Sequence, residues 1–389
     1  MSMIDTFEQQ VTGREIDLTF PSEVMTGVAG DFAKLYSEHM EPCPQFFYIS
    51  FLTCLGNILT GHLTIDSSLN PQPRMYTLLL GESADDRKST ALKEVAKFFH
   101  ETIDDFKTCW GVGSAEGLQS IFEQTERLIL LLDEFKYFVS KARIDGSVLL
   151  PATTTLFESN TFETHTKTKN ISLNNAHLSI LAASTIDTYQ QTWTSAFTDI
   201  GFGNRLWIVP GSAKRRFSIP QTIPDKDIVQ LKNHLGDILA VANDQDRLPV
   251  EDDASNIFHE WYMNRDNSIH QKRLDTYGHR LMLLLAINEG KASIDAEIIK
   301  KVILLLNWQL AVRRVYDPID AENSVAKMEE RIRRSLLQGA KTSRKLKQAV
   351  HANRDGLWIY NTALDNLKRE QEVYWDNNGS VYRLSGPEV

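Results

Sequence analysis

The sequence predicts an α/β protein followed by a small basic module, and three stretches carry that expectation. An apolar strand, Met75–Leu80, runs into a polar loop and then into a helix that begins at Lys88. A second apolar run, Leu128–Leu132, ends in the acid pair Asp133 and Glu134. Near the C-terminus, helical patterns give way to two short strands around an Asn-Gly turn.

Taken in order, residues 1–64 form a helical lead-in. Phe32, Leu35 and Tyr36 recur at helical spacing, and Pro42 and Pro44 separate them from the apolar run Phe46–Leu59. Residues 65–212 alternate strands with helices, the mark of a largely parallel sheet. Here the strand Met75–Leu80, the helix Lys88–Phe99, the helix Ala115–Gln124 and the strand Leu128–Leu132 follow one another. A hairpin over Thr161–Leu173 has Lys167, Lys169 and Asn170 near its tip, and the strands His177–Ala182 and Leu206–Val209 complete the region. Residues 213–322 read as helical throughout (Ile228–Val241, Ala254–Arg265, His279–Ile287, Ala296–Val315), a lid bounded by prolines. Residues 323–389 form a separate module of three helices, Ala326–Leu337, Thr342–Ala352 and Tyr360–Arg369, and a hairpin. Its Asn378-Gly379 pair predicts a type I′ turn.

Composition narrows the functions open to such a chain. It has 389 residues, of which 42% are hydrophobic, enough for several buried cores and too apolar for disorder. With 42 Lys and Arg against 51 Asp and Glu, the net charge is −9, so any nucleic-acid contact must come from a local patch. The three cysteines, Cys43, Cys54 and Cys109, lack CxxC spacing, and the ten histidines lack zinc-ligand spacing. No basic segment followed by an apolar core opens the chain, and no apolar run reaches the length of a membrane span. These features predict a cytoplasmic protein without a membrane partner.

The loop after Met75–Leu80 has the chemistry of a phosphate site. Backbone amides and a helix N-terminus can hold phosphate, Lys88 can neutralise its charge, and the Ser89 hydroxyl can reach Mg²⁺. Arg87 stands where such loops usually carry glycine, and the loop is one residue longer than the common form. Read alone, it could equally be a capped helix. About 45 residues further on, Asp133 and Glu134 end an apolar strand. In P-loop ATPases the first such acid holds Mg²⁺ and the second polarises the attacking water. The two motifs in this order predict a site for ATP with Mg²⁺.

Gly81, Ser83, Arg87, Lys88, Ser89 and Thr90, then Gly113–Leu118, then Asp133 and Glu134, resemble the ATPase family of phages, plasmids and integrated elements, often fused to or encoded beside primases. More distantly, Leu156–Lys167 and Leu173–Thr185 resemble the pre-sensor hairpin and sensor-1 strand of minichromosome-maintenance helicases and other AAA+ motors. The resemblance implies a P-loop AAA+/RecA-like core with Thr185 as sensor 1, Arg205 as an arginine finger acting on a neighbouring subunit, and Arg273 as sensor 2, with Arg280 seven residues on. It implies a homo-oligomer, a hexameric ring, with Lys167 and Lys169 facing DNA in a central pore. The bland counterparts are a strand-end hydroxyl, structural ion pairs, a solvated helix face and an exposed turn.

Three helices and a hairpin make the winged-helix pattern. Residues 324–389 carry twelve Lys and Arg against eight acids, a net charge of about +4. Arg344, Lys345 and Lys347 are placed for phosphate contacts, and Asn361, Lys368 and Arg369 lie on the helix that would enter a groove. Together the features predict ATP-driven work on DNA by a helicase-like motor. Two other readings stay open: a nucleotide-dependent DNA-binding switch, and an adaptor whose winged helix binds a primase or polymerase.

Overall fold

The computed structural model of the chain describes residues 16–82, 86–165, 170–193, 200–265, 268–319 and 323–385. Contacts divide it into two compact units, one from Phe20 to Leu310 and the other from Ala311 onward together with residues 16–19. The first unit opens with α1 (Gly27–His39) and α2 (Pro44–Leu59). Pro44 occupies the first position of α2, where a missing N–H costs nothing. Phe46 through Asn57 are all buried, so this helix is apolar around its whole circumference and lies inside the fold.

After β1 (Thr64–Ile65) come β2 (Tyr76–Gly81), α3 (Lys88–His100), β3 (Thr108–Cys109), α4 (Ala115–Phe122) and β4 (Arg127–Leu132). Then follow α5 (Phe135–Ala142), α6 (Leu149–Thr155), the hairpin β5 (Phe162–His165) and β6 (Asn170–Leu173), β7 (His177–Thr185), α7 (Ile186–Thr192) and β8 (Trp207–Pro210). Five strands form one sheet in the order β3-β4-β7-β2-β8, every neighbour parallel. The central strands are buried on both faces, which explains their unbroken apolar runs. Neighbouring residues of β2 show the two covered faces. Thr77 shares a 2.7 Å hydroxyl–hydroxyl bond with Thr53 of α2, while Tyr76 donates from the opposite face to the Thr153 carbonyl of α6 at 2.7 Å.

The helical region that follows holds α8 (Asp225–Asn243), β9 (Arg247–Leu248), α9 (Asp252–Met263), α10 (Leu274–Asn288) and α11 (Ala296–Tyr316). β9 pairs in parallel with β1. No helix among the described residues is long and apolar enough to cross a membrane.

The second unit contains α12 (Ser324–Leu337), α13 (Ser343–Ala349), α14 (Ala352–Asp355), α15 (Leu357–Arg369) and the antiparallel hairpin β10 (Val373–Asp376) and β11 (Val381–Leu384). Met328, Ile332, Leu346, Tyr360, Leu367 and Val373 build its core. Lys341 adds a one-residue bridge to Tyr382, with backbone hydrogen bonds of 3.2 and 2.8 Å. The helix anticipated over Thr342–Ala352 ends at Ala349, and His351, in left-handed backbone, turns the chain into the separate short helix α14. The type I′ turn is not formed. Asp376 pairs with Val381, leaving a four-residue loop whose positive φ falls on Ser380. The Asp376 carboxylate takes the Asn378 N–H at 3.0 Å and Arg383 Nε at 3.0 Å, and this Asx turn displaces the tighter one.

Candidate functional site

Because the five strands are parallel, they all end on one edge, the edge at which open α/β sheets bind ligands. β2 ends there at Gly81, β7 at Thr185, its register partner, and β4 leads directly into Asp133 and Glu134. Of the turn between β2 and α3, Glu82, Asp86 and Arg87 are described; Ser83 lies outside the described residues. Arg87 is the N-cap of α3 at φ 50° and ψ 29°, left-handed backbone. The position therefore has the conformation that favours glycine, and the side chain there costs roughly 1–2 kcal/mol.

Lys88 opens α3 and is 8% exposed. Its ammonium donates to the Glu82 carbonyl at 2.6 Å. Burial lowers its pKa, opposed by the charges of Asp86, Glu82, Glu134 and Asp133, so all four carboxylates act on this ammonium. Ser89 and Thr90, half-buried, complete the first turn of α3.

Asp133 uses one carboxylate oxygen for Lys93, at 3.4 Å, while Oδ1 is buried and has no hydrogen-bond partner. Glu134 is exposed and begins α5 without capping it. A buried acceptor without a donor, near a hydroxyl-bearing helix start and a lysine, is a donor set suited to a hard cation with phosphate oxygens. Thr185 is committed locally. Its hydroxyl accepts the Thr188 N–H at 3.1 Å and donates to the Thr188 hydroxyl at 2.8 Å, capping α7.

Arg205 lies on the opposite edge, just before β8, whereas Lys88 follows the end of β2. The six residues of β2 alone separate the edges by about 20 Å. Within one chain the structure therefore does not bring Arg205 to Lys88. Nor does Arg205 project like a free finger. It is 8% exposed, donates to the carbonyls of Ile200 at 3.2 Å and Gly201 at 2.9 Å, and approaches Glu158 at 4.0 Å. Arg273, the left-handed N-cap of α10, bonds the other oxygen of Glu158. Arg280 is 2% exposed and clamps the carbonyls of Arg74 and Phe157 at 2.6 Å each, a purely internal role. Lys167 and Lys169 lie outside the described residues.

In the second unit, Arg344 and Lys347 line a cleft of about 540 Å³ with Ser343, Gln348 and Asn353. Lys345 is exposed beside them, and the Lys347 ammonium stands 5.7 Å from the Tyr360 ring centre. On α15, Asn361, Lys368 and Arg369 are exposed; Lys368 sits 5.0 Å from the Tyr382 ring and Arg369 bonds Asn366 at 3.1 Å. Trp358 is 72% exposed at the start of the same helix.

Glu158, Asp86 and Glu41 were not marked by the sequence. Only a carboxylate standing in a glycine-poor loop hinted at Asp86. The other two reveal themselves only through partners distant in the chain. Among the described residues no cluster of three or more His, Cys, Asp or Glu is placed to hold a metal. No protein-family model matches the chain, and no curated protein matches it.

Proposed function

We propose that the chain is an ATP-hydrolysing motor that works on DNA, a helicase-like ATPase of a mobile genetic element, assembled as a ring. The observation that carries this reading is the shared edge: Lys88 at the start of α3 and the pair Asp133 and Glu134 beyond β4, with Asp133 Oδ1 left without a partner. Counted along the chain, the strand order is 5-1-4-3-2, the arrangement of an AAA+ core, and this supports the reading. Lys88 would meet the phosphates, Ser89 and Asp133 would hold Mg²⁺, and Glu134, the exposed acid, would polarise the attacking water. Bound Mg²⁺ would supply charge neutralisation at the phosphate oxygens.

Arg205 and Arg273 share Glu158 on the far edge, so they suit the nucleotide of a neighbouring copy rather than their own. Release of Arg205 from its carbonyls would accompany assembly. The second unit reads as a winged helix, with Arg344, Lys345 and Lys347 on phosphate and α15 toward a groove.

ATP hydrolysis measured with and without single-stranded DNA, alongside the mass of the assembly, tests the motor. Activity stimulated by DNA, abolished in Glu134→Gln, and carried by an oligomer is the expected result. Subunits with Arg205→Ala mixed with subunits carrying Lys88→Ala should recover part of the activity. One observation favours the switch reading instead: Lys88 is engaged by the Glu82 carbonyl. Tight ATP binding without turnover would select it.

A further inference from the structure

We propose that Asp86, backed by Glu41, is a positioning residue that holds the two ends of the phosphate loop together from its β8 side and couples them to the segment leading out of the sheet. The inference rests on the nucleotide reading above and adds to it how Glu82 and Asp86, the two described ends of a loop without the usual glycine, are tied together.

Asp86 is 4% exposed, and backbone donors satisfy both of its oxygens. Oδ1 accepts the Ala213 N–H at 2.8 Å and Oδ2 accepts the Glu82 N–H. Ala213 follows β8, which flanks β2 on the side away from β7 and the acid pair. The brace and the acids therefore stand on opposite sides of the loop. Gly81 fits this picture. It is not among the glycines with positive φ, yet a Cβ there would lie 2.5 Å from Asp86 Oδ2 and 2.8 Å from Asp86 Cβ. The Asp86 side chain from Cβ outward, not the backbone angle, excludes a side chain at 81.

The next residue closes a circuit. Arg87 Nε donates to Glu41 Oε2 at 2.9 Å, while Glu41 Oε1 accepts the N–H groups of Arg216 at 3.0 Å and Phe217 at 3.3 Å. Arg216 in turn donates to the Met40 carbonyl at 2.6 Å. Asp86 and Arg87 are thus both tied to 213–217, one directly and one through Glu41. Two consequences follow. The Glu82 N–H is spent on Asp86 and does not serve phosphate. Lys88, which holds the Glu82 carbonyl, is the member of the set that leaves when phosphate arrives. The brace stays.

The test uses the full chain and Mg-ATP, read by titration of a fluorescent ATP analogue and by kcat and KM separately. Asp86→Ala should raise Kd and KM for Mg-ATP at least tenfold with kcat changed less than threefold. Asp86→Asn, which keeps one acceptor, should fall between, and Glu41→Gln should raise Kd two- to fivefold. Gly81→Ala should be as harmful as Asp86→Ala, because the added methyl would meet both Oδ2 and Cβ of Asp86 and push the brace aside. Wild-type affinity in Asp86→Ala would overturn the proposal. Hydrogen exchange of the peptide 82–90 separates this from the nucleotide reading. Exchange at least tenfold faster in Asp86→Ala and in Glu41→Gln supports the brace even if the wild-type chain fails to bind Mg-ATP. Unchanged exchange in both variants defeats the brace even if binding is tight.

Discussion

The two edges of the central sheet carry the same kinds of side chain and treat them in opposite ways. On the edge where the strands begin, cations are buried and spent on carbonyls: Arg280 holds two, Arg205 two more, and Arg74 bonds Asn160 at 2.7 Å. On the edge where they end, part of the charge is left open. Asp133 keeps a buried oxygen without a donor, Glu134 is exposed, and Arg87 is held in left-handed backbone. The terminal nitrogens of these three arginines are bound within the fold although their Nε atoms have no partner, whereas an unpaired acceptor close to Lys88 and strained backbone are what a ligand can relieve. The difference teaches which arginines and acids to test for stability and which for chemistry.

The largest effect that sharpens this contrast is at Arg280. Arg280→Ala strands two buried carbonyls and leaves a cavity, so unfolding in urea should show a loss on the order of 3 kcal/mol. A loss below about 0.5 kcal/mol would place Arg280 with the functional group instead. Next comes Arg87, where the signs of two variants differ. Arg87→Gly should stabilise the chain by about 0.5–1 kcal/mol, since relief of left-handed backbone outweighs one half-exposed ion pair. Arg87→Ala keeps the strain, loses the pair and should destabilise by about as much. Equal thermal shifts in the two variants would remove strain from the comparison.

The smallest effect lies in the second unit. Arg333 grips Glu372 through two bonds, of 2.6 and 2.9 Å, and holds that carboxyl below its ordinary range. A depressed folded pKa gives stability that is present above the ordinary glutamate value, about 4.3, and is lost as pH falls through the folded value. Because the carboxylate is 38% exposed, solvent screening keeps the contribution below about 1 kcal/mol. Glu372→Gln should flatten the acid limb of the melting curve by that amount and leave the curve above pH 6 parallel to wild type.

What could be read from the sequence was what is local. β2, β4 and β7 are sandwiched between helices, so their apolar runs and the charged residues at their ends stand out in one dimension. α6 does not. Leu149–Thr155 contains Pro151 and three threonines, a poor helical composition, and forms because Leu149, Leu150 and Ala152 are buried in the fold, while the hydroxyls of Thr153 and Thr154 are satisfied by the carbonyls of Leu149 and Leu150. Two-residue strands such as β3 carry no period to detect. The core of the site followed the same rule. Lys88, Ser89, Asp133 and Glu134 belong to contiguous motifs, whereas the bond from Ala213 to Asp86 spans 127 positions and that from Arg87 to Glu41 spans 46. The burial of Arg205 is equally hidden in the sequence, because it depends on the carbonyls of Ile200 and Gly201 and on the Phe157 ring, none of which its own motif announces.

On the proposed reading, the ammonium at Lys88 and the carboxylates beyond β4 serve one magnesium-bound triphosphate. Calorimetric titration of the full chain with Mg-ATP tests it most directly. Saturable binding at one site per chain is expected, with an affinity that falls about a hundredfold in Lys88→Ala and falls also in wild type when magnesium is chelated. Binding that is absent in wild type, or unchanged in Lys88→Ala, would contradict it.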